Sequence, residues 1–124
     1  MYFRILFATA IALSAPSFTI AKPTVKVSTE YYEIDGRTRD ELREEMRTKG
    51  PNGYFGWTNW YIRWTGGCDV SVEVTYTMPK LKSPDGISAK LKESFDTFYD
   101  ALLMHEENHG SHGISAANEI KAFN

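Results

Sequence analysis

From Cys68 to Met78 the chain alternates strictly. Val70, Val72, Val74, Tyr76 and Met78 occupy one parity, and Asp69, Ser71, Glu73, Thr75 and Thr77 the other. Successive side chains of a strand point to opposite faces, so this pattern predicts one buried face and one wet face. Such a strand needs sheet neighbours and a covering layer on its apolar side. That requirement limits the fold more than any other feature.

The neighbours are legible on either side. Thr24 to Ile34 reads as a strand, with Val25 and Val27 alternating, and Gly36 ends it. Tyr54 to Trp64 is aromatic and β-prone, and Gly66-Gly67 marks a hairpin-like turn into the alternating strand. Thr38-Arg39-Asp40-Glu41 is a capping-box sequence, followed by Leu42 and Met46 on one helix face. Gly50-Pro51 stops that helix and Asn52-Gly53 turns the chain. Pro79 through Gly86 reads as a loop. A second helix begins near Ile87, with Gly110 and Gly113 as expected bends or ends. The expectation is an α+β fold: a small antiparallel β-sheet and two helices in β-α-β-β-α order, the helices covering one face.

The second helix carries chemistry. His105-Glu106-Glu107-Asn108-His109 is an H-E-x-x-H sequence, and Phe95, Phe98 and Leu102 lead into it at helical spacing. Residues four apart share a helix face, so His105 and His109 can aim imidazole nitrogens at one Zn2+ ion. Glu106 adjoins the first ligand and suits a general base. A catalytic zinc site usually takes three protein ligands. His112 can supply the third if the helix breaks at Gly110, and Glu119 can if the chain turns back near Gly113. A segment outside this chain is the remaining source. Tyr99 and Tyr76 are the candidate donors to a developing oxyanion.

Residues 1–21 resemble a secretory signal: Arg4, then the apolar run Ile5 to Leu13, then Thr19-Ile20-Ala21 before a cleavage point. The apolar run is too short to span a bilayer. Residues 22–124 then form a single domain, secreted or periplasmic, with no stable membrane span; an uncleaved anchor is the alternative. The chain has 14 Lys and Arg against 16 Asp and Glu, and losing residues 1–21 removes Arg4 but no acid. An acidic balance disfavours nucleic acid as a partner. Cys68, the single cysteine, reads as a buried thiol, half of an intermolecular bridge, or a residue whose partner is missing. Trp57, Trp60 and Trp64 read as sheet core, with Trp60, Ile62 and Trp64 facing inward and Asn59 and Arg63 outward. A substrate-lining strand is the other reading.

The element order and the motif helix resemble the minimal core of zincin metalloproteases, in which a sheet edge lies above the motif helix and an extended substrate adds to it. The chain also resembles a bacterial family of predicted secreted zinc-dependent proteases, domain-of-unknown-function family 922. The resemblance runs through Tyr32-Glu33-Ile34-Asp35-Gly36, Leu42-Arg43-Glu44-Glu45-Met46 and Gly50-Pro51. It continues through Gly56-Trp57-Thr58, Trp60, Trp64, Cys68, the alternating valines and Met78-Pro79. The H-E-x-x-H run and Ala116-Ala117-Asn118-Glu119-Ile120 complete it. It implies a metallopeptidase-like protein acting on a peptide or protein substrate. Longer members continue past the motif helix, with a second cysteine that can pair with one like Cys68 and a further His-Gly stretch. Ending at Asn124, this chain reads as a short or truncated version. The leading expectation is a zinc-dependent hydrolase; the alternative is an inactive binding or accessory domain on the same scaffold.

Overall fold

The computed structural model describes residues 12–16 and 21–123. The signal-sequence reading rests chiefly on residues outside these. The elements are β1 (Thr24–Ile34), α1 (Arg39–Lys49), β2 (Trp57–Trp64), β3 (Val70–Leu81) and α2 (Ala89–Phe123). Short 3₁₀ turns at Pro51–Gly53 and Pro84–Gly86 precede β2 and α2. The fold is α+β in the expected β-α-β-β-α order.

The sheet is mixed rather than wholly antiparallel. Its order is β1-β3-β2. β2 and β3 pair antiparallel, as a hairpin must, with Trp60 opposite Val74 and Ile62 opposite Val72. β1 pairs with β3 in parallel, with Val25 beside Val72 and Tyr31 beside Met78. The reason lies in the connection. Parallel neighbours need a long crossover, and the chain between β1 and β3 contains α1 and β2. β2 takes one edge of β3 through the tight loop, which leaves the other edge for β1. Pro79 extends β3 beyond the stretch paired with β2 and is in register only with Tyr32 of β1.

The expected alternation on β3 holds. Val70, Val72, Val74, Tyr76 and Met78 are buried, and Ile62, Leu102, Leu103, Ile114, Ala117 and Ile120 pack against them. α2 lies across this face. The opposite face is wet: Ser28 and Thr75 hydroxyls are 3.3 Å apart, and Arg63 approaches Glu73 at 3.8 Å. A second cluster joins α1 to the start of α2: Leu42 and Met46 pack with Ile34 and Phe95, flanked by Phe55, Leu81 and Phe98. The capping box at Thr38 forms as expected, with Glu41 N–H donating to Thr38 Oγ1 and Thr38 N–H to Glu41 Oε2. The β2–β3 loop closes with Thr65 N–H donating to Asp69 O. Its left-handed residue is Cys68 (φ 64°), not either glycine. Cys68 is exposed, so the buried-thiol expectation is not met.

α2 runs unbroken through Gly110 and Gly113, which corrects the expectation of a bend or an end. These glycines are notches. A Cβ at Gly110 would lie 2.2 Å from the Tyr76 hydroxyl oxygen, and one at Gly113 would lie 2.5 Å from Trp60 Cγ. Glycine inside a helix costs roughly 0.5–1 kcal/mol relative to alanine. Here it lets the helix backbone settle onto β3 and β2.

Candidate metal centre

The pentapeptide straddles the boundary between core and solvent. Glu106 is buried at 5% relative exposure, the sole charged or polar residue of the core among those described. His105 and His109 are exposed. Helical geometry explains the split. At about 100° per residue, one turns around the axis from Gly110, against β3, to Glu106 and Gly113, against β2. The next positions in the same direction are His109, His105 and His112. The three histidines therefore form a row along the β2 side of α2.

Within that row, His105 Nε2 and His109 Nε2 are 3.1 Å apart, and their rings stand nearly perpendicular at 84°. Two nitrogens bound at ~2.0–2.1 Å to one tetrahedral ion lie ~3.3–3.4 Å apart. The pair thus fits a two-point grip to within a few tenths of an ångström. Without a metal, the same contact is one N–H···N hydrogen bond.

The third-ligand expectations do not survive the straight helix. His112 sits ~10.5 Å along the axis from His105, with its ring 6.3 Å from that of His109. Glu119 lies ~15 Å along the axis from His109, because nothing turns the chain back at Gly113. Among the described residues no group of three His, Cys, Asp or Glu side chains is placed to hold a metal ion.

Neither tyrosine lies on the histidine side. The Tyr76 hydroxyl is held under Gly110, where burial pushes its pKa up, reinforced by Glu107 and Glu106. Tyr99 packs its ring against Phe95. Burial, with Tyr31 as hydrogen-bond partner, pushes its phenol up to about 12. The oxyanion-donor expectation therefore fails on placement.

The tryptophans correct another expectation. Trp57, Trp60 and Trp64 are 36%, 44% and 62% exposed. Trp60 and Trp64 do share the α2-facing side of β2, through their register with Val74 and Val70. Yet β2 is an edge strand, and α2 covers it only in part.

Thr58 went unnoticed in the sequence as a functional residue. Its hydroxyl Oγ1 lies 2.5 Å from Glu106 Oε2 and 2.9 Å from the Glu106 main-chain oxygen. A signal was present: stepping back by two from Trp64, Ile62 and Trp60 reaches Thr58, a small polar residue on an otherwise apolar strand face.

A three-stranded mixed sheet backed by a long helix with a split H-E-x-x-H turn defines a small α+β protein with a paired-histidine site. The chain matches the family described as "Bacterial protein of unknown function (DUF922)" over residues 29–123, and it belongs to that family. No curated protein and no solved structure matches it. Among the described residues no helix is long and apolar enough to cross a membrane.

Proposed function

We propose that this protein is a secreted or periplasmic zinc-dependent hydrolase, a metallopeptidase in which His105 and His109 hold the metal and Glu106 is the general base. The observation that carries this reading is the 3.1 Å approach of the two Nε2 atoms beside a buried carboxylate on the adjacent residue. When bound, zinc supplies a Lewis acid toward a peptide carbonyl and makes a nearby water more acidic. The chain's own residues do the rest. The Glu106 carboxylate accepts the proton of the attacking water and returns it to the leaving amine. The free edge of β2 suits an extended peptide added as a further strand. Trp60 and Trp64 lie on the helix-facing side of that edge.

Metal analysis and a peptide-library digest test the reading together. The expected result is one zinc per chain, lost in His109→Ala. Glu106→Gln should retain zinc and lose turnover. Equal hydrolysis by wild type and Glu106→Gln excludes the mechanism. Export is tested by fractionation and N-terminal sequencing, with Lys22 expected as the first residue.

One observation favours a second reading: the described residues supply two histidines and no third ligand. In that case the chain is an inactive binding or accessory domain on the same scaffold, and any zinc is structural. Chelation would then unfold the domain or weaken partner binding with no hydrolysis to lose.

A further inference from the structure

A buried carboxylate needs hydrogen-bond partners. Thr58, 48 residues away in the chain, supplies one for Glu106. Its single hydroxyl approaches the side-chain Oε2 at 2.5 Å and the main-chain oxygen of the same residue at 2.9 Å. The hydroxyl carries one proton and faces two acceptors of Glu106, of which the carboxylate Oε2 is the nearer. Gly56 forms the second wall. A Cβ there would lie 3.1 Å from Glu106 Oε1, 3.1 Å from Leu102 Cδ1 and 3.2 Å from Glu106 Cγ. Gly56, just before β2, and Thr58 within it therefore both pack closely against the Glu106 side chain.

We propose that Thr58, with Gly56, is the positioning element for Glu106, holding the carboxylate in one orientation between the edge strand and the motif turn. This rests on the hydrolase reading above. Were the role of Thr58 only to fill space, valine would replace it, since valine has the same shape without the hydroxyl. A positioning role instead requires the hydroxyl, and serine keeps it.

The test compares the full-length wild type with Thr58→Ser, Thr58→Val and Gly56→Ala, using denatured casein as the hydrolysis probe. Misplacing a reacting group by about 1 Å costs about 10²-fold in rate. Thr58→Val should accordingly lose about 10²-fold in kcat, with KM and zinc content unchanged. Gly56→Ala should fall in the same direction, and Thr58→Ser should stay within about threefold of wild type. A second arm needs no turnover: the visible spectrum of the cobalt-loaded chain, which reports the surroundings of the metal. Thr58→Val and Gly56→Ala should alter that spectrum, while Thr58→Ser should not.

Wild-type kcat and an unaltered spectrum in Thr58→Val overturn the proposal, as does Thr58→Ser failing as badly as Thr58→Val. If wild type cleaves neither casein nor the peptide library, the hydrolase reading fails and the cobalt arm decides the positioning claim. Spectra identical across all four chains, or no cobalt binding at all, overturn that claim too. If Thr58→Val does not fold, Gly56→Ala carries the same comparison, because it removes no hydrogen bond.

Discussion

The two sides of the motif turn in α2 differ in kind. One side, carrying Glu106, Gly110, Gly113 and Ala117, is buried against β2 and β3. The other, carrying His105, His109 and His112, is exposed. A rotation of about 100° per residue separates them. The buried side is shaped by steric fit, with two glycines where any side chain would collide. The exposed side makes no comparable contact with the sheet, and the 3.1 Å histidine pair is its main feature. Stability and the proposed metal chemistry are therefore separable on a single helix, except at Glu106, which under that proposal belongs to both.

The sharpest way to break this contrast is in the core opposite the helix. Met78 is fully buried. Met78→Ala should cost about 2–5 kcal/mol of unfolding free energy, read as a lower urea midpoint. A shift near zero would mean that β3 is not the packed centre.

A smaller loss is expected at the notch. Gly110→Ala sets a Cβ against the Tyr76 hydroxyl and 3.0 Å from Val74 Cγ1. Overpacking costs about 1–3 kcal/mol, offset by about 1 kcal/mol of helix propensity. Net stabilisation in thermal melts would show that α2 does not sit this close to β3.

Alkaline pH probes the aromatic packing around the helix. Tyr32 donates to Phe55 O at 2.5 Å, and burial pushes its phenol up to about 12 from 10.0. The unfolded phenol loses its proton near its ordinary value, and the folded one only at about 12. The contribution is therefore complete below pH 10.0 and is lost as pH rises toward about 12. Urea midpoints at about pH 9 and about pH 11, roughly one unit either side of the ordinary tyrosine value, should diverge in wild type and diverge less in Tyr32→Phe.

The smallest structural effect belongs to the histidines. His109→Ala should change stability in metal-free protein by no more than about 0.5 kcal/mol, as for other exposed sites, while removing the proposed metal grip. A large loss without metal would place His109 in the core and collapse the comparison.

Much of the fold was legible in local pattern. The alternation of Val70 to Met78 declared a half-buried strand, and Thr38 with Glu41 declared a helix start. The four-residue spacing of His105 and His109 declared a shared face. The candidate pair was visible for the same reason: it needs only one turn of helix. Thr58 was harder to see because its partner is 48 residues distant, and no local period encodes that distance.

What the sequence determined by itself is every property that rides on one element's own repeat: where strands and helices lie, which residues share a face, and which two imidazoles can meet. Tertiary structure decided the rest. It placed β1 on the edge of β3 that the hairpin leaves free, parallel to β3 across the crossover through α1 and β2. It made Gly110 and Gly113 contact points instead of bends, because β3 and β2 lie directly beneath them. It left Trp60 and Trp64 partly in solvent, because they sit on an edge strand that α2 covers only in part. Side-chain period is a property of a single backbone, whereas pairing, coverage and closeness depend on which surfaces the other elements leave free.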